Sequence, residues 1–488
     1  MGSEPAGTDN VVPSPPTSAP TLYESKKVIV LRVTSLLPLI VLCTACSSIP
    51  CHPYRLAPGP GHSEANLKAE DRPAREGSSS DGMFIGIAMS GGGSRAANFS
   101  AAVLLKLRAL GVLDRADYLS PVSGSTLAAA YYALEGHEYF AWSRLSRREM
   151  SFTEAELREQ LSPDFQLRYV ARWFLPWNAL RYWFTSFNRT DIMFDVLDSN
   201  LYHGATFDDL KANGPKLLIN ATDREDLERF NLTAVESKAY GLADADLTHR
   251  RFVFADERVY GANLNPLPIS VATTASLAVP GLFQDVTLPI PKATAPDHAP
   301  GYLHLVDGMV TDNQGLLTLL EILQQSVRDH TFATTYPNGC VLISIDAAPN
   351  FTNWARDKDE TRREYKDYLF DRNLADAVDS MLLHQREQTL NLVGLAPHEI
   401  LEQVTVKKAF KIAPKSDDPS TCDFWHIALR HIPITDAAGR ELVWYPTELD
   451  ITRQKQDFLF DAACQAARKG WNAGARGLFG QHDTDMTC

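Results

Sequence analysis

Three consecutive glycines, Gly91, Gly92 and Gly93, interrupt the stretch GIAMSGGGSRAANFSAAVLLKLRALG, residues 86–111. No other feature restricts the folding of this chain so tightly. The run Met83–Met89 before them is short, apolar and bounded by glycine, which predicts a buried strand. After them, Ala97, Ala101, Leu104, Leu105 and Leu107 fall at helical spacing, and Gly111 is a suitable stop for a helix over 94–110. A turn without side chains between strand and helix either bends sharply or lets something approach its backbone. Its N–H groups lie unobstructed beside the positive end of the helix, so the turn can hold an anion. GxGxxG spacing is absent, since residues 91–96 read G-G-G-S-R-A, and there is no GxxxxGK[ST], so the pattern is not that of a nucleotide loop.

The alternation continues along the chain. YLSPVSG (118–124) reads as a strand and a sharp turn, and STLAAAYYALEG (125–136) as a helix ended by Gly136. PKLLINATD (215–223), RRFVFAD (250–256), GYLHLVDG (301–308) and CVLISIDAA (340–348) read as strands. GLLTLLEILQQSV (315–327) reads as a helix, and so does 448–471, with Asp450 or Thr452 as its cap. Strands alternating with helices predict an α/β fold, a mostly parallel central sheet in a three-layer sandwich with helices on both faces. Sites in such sheets lie at the carboxyl ends of strands. Residues 137–191 differ: they hold four of the eight tryptophans, and LRYVARWFLPWNALRYWFTSFNR carries Arg168, Arg172, Arg181 and Arg189 with no acid. This segment reads first as a helical cap packed on the sheet. Aromatics beside arginines also suit a membrane interface, and a cap with one apolar rim satisfies both readings.

Composition narrows the partners. At 44% hydrophobic and 22% charged the chain has enough apolar residues for a real core. A net charge of −13 disfavours nucleic acid. Seven cysteines in 488 residues do not make a disulfide scaffold, and pairing among Cys422, Cys464 and Cys488 stays open. There is no zinc-type Cys/His spacing and no HExxH, and no metal or other cofactor is implied.

The first 82 residues are read apart from the fold. Residues 1–22 are rich in Pro, Ser, Thr and Gly and predict disorder. Lys26, Lys27 and Arg32 flank a thirteen-residue apolar run, Val33–Ala45, the length of a signal h-region and short for a membrane span. The ending CTAC resembles a bacterial lipoprotein signal with Cys46 as the lipidated residue. Cys43 stands where that pattern has Leu, and Ser47 resembles an outer-membrane sorting residue. An uncleaved anchor starting at Val28 is the other reading, and residues 1–25 fit an over-long gene start. The expected organisation is a leader and signal over 1–45, a Pro/Gly/Ser-rich tether over 46–82, a folded domain over 83–475 that includes the 137–191 insertion, and a tail over 476–488. The expected location is the bacterial cell envelope.

Chemistry concentrates at three places. The first is the glycine turn. The second is the turn in LSPVSGSTLAAAYY, which has the architecture of a nucleophile elbow, a serine held between strand and helix with the next N–H facing an oxyanion. The G-x-S-x-G motif is incomplete, because Pro121 and Ser125 replace its outer glycines. Of Ser120, Ser123 and Ser125, only Ser123 has a glycine, Gly124, directly after it; Ser125 fits a helix cap. The third is Asp307, which ends an apolar strand beside Gly308. Alone, Asp307 reads as a turn cap.

Together, strand–GGGxR–helix, strand–SG–helix and strand–DG in that order resemble the patatin-like phospholipase family. Gly91–Ala96 matches its GGGxR[GA] motif and VSGST its serine elbow, while DGM, with Met309, stands for DG[GA]. ASLAVPGLF (275–283), with Pro280, is similar to the family segment upstream of the aspartate, and LINATD and DNQGL fit bacterial members. The resemblance covers roughly residues 83–475. It implies a Ser123–Asp307 dyad, with Gly91, Gly92, Gly93, Arg95 and Gly124 around the oxyanion. It also implies metal-independent hydrolysis of a lipid acyl ester, the membrane being reached through the lipid anchor. Two rivals stand beside it. A Ser-Asp-His esterase would need one of His330, His384, His398, His426, His431 and His482 as partner, and Ser90 stands where its oxyanion motif has His. A binding lipoprotein with a decayed site would explain Pro121 and Ser125. A phosphate-binding ATPase or transferase lacks its lysine.

Overall fold

The strand before the glycines, β1 (Phe84–Met89), is buried along its whole length, as a strand covered on both faces must be. It pairs in parallel with β2 (Tyr118–Pro121) on one side and with β11 (Cys340–Asp346) on the other. The computed structural model describes residues 82–141, 145–211, 213–225, 229–233, 252–254, 264–289, 301–348, 373–414, 417–432, 451–480, 486 and 488. The signal run, Cys46 and the tether up to residue 81 lie outside the described residues.

The central sheet has the order β12–β13–β11–β1–β2–β5, with β5 (Lys216–Leu217), β12 (Val406–Lys411) and β13 (Thr421–Ala428) completing it. Every pairing in it is parallel except β12 with β13. Side chains alternate across β1 as a strand requires. Ile85, Ile87 and Met89 enter one core, while Phe84 and Ala88 enter the other. The first core is closed by α1 (Gly93–Ala109), α2 (Ser125–Ala133) and α13 (Arg453–Gly470). The second is closed by α9 (Leu316–Arg328), the end of α11 (Asn373–Leu392) and α12 (Pro397–Leu401). Helices therefore cover both faces, and the expected α/β sandwich is present. Thr452 caps α13, its side chain accepting from the Lys455 N–H.

Phe99, Val103, Leu104 and Leu107 of α1 are fully buried. At roughly 1.5–3 kcal/mol each, they hold the helix without help from its first turn. That turn is thereby free to present backbone N–H groups.

A second sheet, absent from the sequence reading, has the order β8–β7–β6–β10–β9: β6 (Ile219–Asp223), β7 (Arg229–Leu232), β8 (Phe252–Phe254), β9 (Val286–Pro289) and β10 (Tyr302–Asp307). Its pairings are antiparallel apart from β7 with β8. The strand that ends at Asp307 thus lies in an antiparallel sheet. Local pattern cannot separate the two cases, because a short apolar strand reads alike in either. The sheets are joined where β5 runs on into β6: the Leu218 N–H donates to Leu119 O at 2.8 Å, and Val122 bridges Asn220. The elbow after β2 sits at this seam.

The aromatic insertion folds as a hairpin, β3 (Glu138–Ala141) with β4 (Ser146–Glu149), followed by α3 (Glu154–Gln160), α4 (Phe165–Trp173), α5 (Pro176–Phe184) and α6 (Arg189–Leu197). Residues Leu180–Ser186 separate from the rest as a small unit; within it the Thr185 hydroxyl donates to Arg181 O at 2.7 Å. Two disulfides, Cys340–Cys422 and Cys464–Cys488, resolve the open pairing. Among the described residues no helix is long and apolar enough to cross a membrane.

Candidate active site

Three serines precede or open α2, and their hydrogen bonds separate them. Ser120 Oγ donates to Gly315 O at 2.6 Å, beneath the sheet seam. Ser125 Oγ bonds to Met89 O and Val122 O, both at 2.9 Å, and accepts from the Val122 N–H. Ser125 is therefore a knot between β1 and the elbow, not the side-chain cap of α2. Ser123 stands between them at φ 52°, a conformation a non-glycine residue holds only when its surroundings impose it. Its N–H donates to Ser276 Oγ at 2.9 Å, and its hydroxyl lies beside the Asp307 carboxyl.

Asp307 is fully buried at the end of β10. Burial pushes its carboxyl up to about 7, against the pull of the Met309 N–H and the Ser123 hydroxyl. The Met309 N–H donates to Oδ1 at 2.8 Å, which is the turn cap expected of this residue read alone. Oδ2 has no hydrogen-bond partner among the described residues, while the Ser123 hydroxyl lies near enough to favour the ionised form. One oxygen of this buried carboxyl is therefore held by a backbone N–H and the other is unsatisfied, with a serine hydroxyl nearby.

The glycine turn packs directly on the elbow. Gly92 takes φ 140°, which no side chain tolerates easily, and a Cβ on Gly124 would collide with the Gly93 carbonyl. The Gly91 N–H is already donated to Asn313 O at 3.0 Å, so Gly91 acts here as a close-packed hinge. The N–H groups of Gly92 and Gly93 open the first turn of α1, and that of Gly124 opens α2, where no intrahelical acceptor exists. The buried Arg95 donates from Nε to Ala347 O at 2.8 Å and brings its guanidinium against Gly92. It ties the glycine turn to the end of β11. Ser90 does the same, its Oγ accepting from the Ala347 N–H at 2.9 Å.

The motif segment 275–283 lies on α7 (Ile269–Leu277) and the turn after it. Ser276 Oγ accepts the Ser123 N–H and donates to Asn220 O at 2.6 Å, and Ala278 O accepts the Asp307 N–H at 3.0 Å. One helix end thus holds the backbone of both candidates. Pro280, inside this segment, is exposed and bridges Phe283, and a Cβ on Gly308 would lie 2.6 Å from Asn220 O. The Asn220 amide bonds to Ser120 Oγ and Pro121 O, both at 2.9 Å, and accepts from Thr318 Oγ1 at 2.7 Å. Asn220, Ser276 and Asn313 stood in stretches the sequence reading noted without giving them a task. For Asn220 and Ser276 the signal was a polar side chain on a fully buried element; Asn313 acts through its backbone oxygen, which leaves no side-chain signal.

The described histidines lie elsewhere, and His482 is outside the described residues. His426 Nε2 meets Asp346 Oδ2 at 3.2 Å, and Arg386 Nε meets the same oxygen at 2.5 Å. His431 packs edge-on against His426, and burial drives its ring down to about 2. None of the described histidines bonds to Ser123 or Asp307. Among the described residues no group of His, Cys, Asp and Glu is arranged to hold a metal ion.

No family model and no curated protein matches this chain. Among solved structures it is similar to human GIVD cytosolic phospholipase A2, at 16% identity and a TM-score of 0.40, over 82% of this chain and 63% of that one. The same human protein in complex with methyl gamma-linolenyl fluorophosphonate and terbium chloride gives 15% identity and a TM-score of 0.43, over 82% and 60%. VipD from Legionella pneumophila gives 12% identity and a TM-score of 0.28, over 80% and 67%. The chain spans less than two thirds of the human protein's length.

Proposed function

We propose that this chain is a serine lipid acyl hydrolase of phospholipase A or lipase type, working through a Ser123–Asp307 dyad. One observation carries the reading: Asp307 is buried with one carboxylate oxygen unpartnered and the Ser123 hydroxyl beside it. Ser123 Oγ attacks the ester carbonyl as its proton passes to Asp307 Oδ2. The tetrahedral oxyanion is held by the N–H groups of Gly92, Gly93 and Gly124, and the helix ends behind them favour the negative charge. Losing one such donor costs about 100- to 1000-fold in rate. The oxyanion collapses, the C–O bond to the alcohol breaks, and Asp307 returns its proton to the leaving oxygen. Water then attacks the acyl-serine, giving its proton to Asp307; as the C–O bond to Ser123 breaks, Asp307 returns that proton to Ser123 Oγ and the fatty acid departs. Arg95 serves the loop by fastening it to Ala347. Lipid as the acyl donor is supported by the sequence resemblance and by the exposed aromatic helices. Two disulfides suit an oxidising compartment and support export to the cell envelope, with Cys46 as the proposed anchor.

The test is hydrolysis of nitrophenyl esters and mixed phospholipid vesicles by the full chain, with EDTA present, wild type against Ser123→Ala. Activity that survives EDTA and falls at least 1000-fold in the variant is expected. Equal activity in both proteins would discard Ser123 as the nucleophile. Binding of vesicles without hydrolysis in the wild type would turn the reading to a lipid-binding protein with an idle site.

A further inference from the structure

The aromatic residues of α4 pack inward, while its Leu167 and the apolar residues that follow it, up to Trp177 at the start of α5, face outward. Phe165 and Tyr169 are buried, and the Tyr169 ring meets Phe283 with centroids 5.2 Å apart. Leu167 is 64% exposed, Phe174 80% and Trp177 69%, and Leu175 is exposed between them. Leu282, next to Phe283, is 64% exposed as well. Phe174 and Trp177 alone leave on the order of 300 Å² of aromatic surface in water, near the size at which an apolar patch marks an interaction site. The patch borders the candidate site through the chain itself, since Leu282 and Phe283 follow the turn whose Ala278 O accepts the Asp307 N–H.

Charge selects the partner. Arg168 bonds to Asn200 Oδ1, and Arg172 donates to Ser199 Oγ at 2.8 Å; both partners are neutral. Neither arginine meets a carboxylate among the described residues. Residues 165–190 contain no acid at all, in a chain whose net charge is −13. Unneutralised cations beside exposed Trp, Phe and Leu are what an anionic lipid–water interface attracts, the cations reaching headgroups and the rings entering the acyl boundary. We propose that the exposed face of α4, the α4–α5 turn and Leu282 dock this protein on an anionic phospholipid bilayer and set the candidate site against it. This rests on the acyl-hydrolase reading only for what the docked site does; the docking itself is a separate observable.

The experiment uses the full chain and vesicles of phosphatidylcholine alone or with phosphatidylglycerol, carrying brominated acyl chains. The quantity read is the part of the tryptophan fluorescence that Trp177→Phe removes, so that membrane insertion of the N-terminal segment does not count. Quenching of that part in phosphatidylglycerol vesicles is expected, at least threefold weaker in pure phosphatidylcholine and in Arg168→Gln/Arg172→Gln. Phe174→Ser/Trp177→Ser should lower the ratio of vesicle to monomeric-ester hydrolysis at least tenfold, with its circular dichroism unchanged. Absence of Trp177 quenching in both lipids overturns the proposal. So does a Trp177 signal that responds to protein concentration and not to lipid, which assigns the face to a second copy. A Trp177 signal already shielded before lipid is added, and exposed on removal of residues 28–45, assigns it to the chain's own apolar segment and also overturns the proposal. If the wild type fails on the monomeric ester while Trp177 is quenched, the catalytic reading falls and the docking stands.

Discussion

At the scale of single residues, Ser123 and Asp307 each hold an unfavourable state. A serine at φ 52° costs about 1–3 kcal/mol, and a buried carboxyl raised to about 7 disfavours its own ionised form. In the proposed mechanism both states serve one proton transfer, and that role would account for the fold's tolerating them. If Asp307 is the base, ester hydrolysis at limiting substrate should rise with pH through a midpoint near 7 and then level off; a rate flat from pH 5 to 9 would remove Asp307 from the chemistry. Stability has the opposite slope. The folded carboxyl takes up its proton well above the unfolded value of about 3.9, so the folded state loses stability as pH rises from about 4 to 7. Asp307→Asn is therefore expected to be inactive yet more resistant to urea than the wild type at pH 8, with the advantage gone at pH 4. Equal denaturation midpoints at pH 8 would mean that the carboxylate is not under strain.

At the scale of elements, the site is assembled by α7 and β6 rather than by the turns that carry its residues. Ser276 uses one hydroxyl to hold the Ser123 N–H and Asn220 O together. Ser276→Ala leaves both buried groups unpaired, each loss worth about 1–3 kcal/mol. The expected result is a fall in kcat of about tenfold with KM little changed, and recovery of most of it in Ser276→Thr. A raised KM at constant kcat would show that α7 shapes the substrate's seat and not the elbow. The serine turn and the glycine turn were legible as local patterns, because strand, turn and helix are short-range matters. The bonds of Ser276 were not, since a serine in an apolar helix looks the same whether it bonds back to its own turn or across to a neighbouring strand.

Across the whole molecule, the end of β11 is where distant parts of the chain are fastened. Burial alone would raise the Asp346 carboxyl, but the Arg386 guanidinium and His426 outweigh it and hold Asp346 well below the usual carboxylate range. The next residue, Ala347, receives Arg95 and meets Ser90. Arg386→Gln strands a buried carboxylate, and breaking such a pair costs about 3–5 kcal/mol. A large drop in the thermal midpoint is expected, with the glycine turn loosened as a consequence; an unchanged midpoint would mean that the pair adds nothing to the fold. Readable in the residues alone were the alternation of strands and helices, the central parallel sheet and the three turns that carry the candidate residues. Periodicity and glycine placement write those locally. Only the tertiary structure decided that Asp307 comes from an antiparallel strand of a second sheet, that Asn313 occupies the Gly91 N–H, and that Cys340 joins Cys422. Each of these depends on which buried polar group finds which partner across the core, and that pairing is settled by packing between segments far apart in the chain.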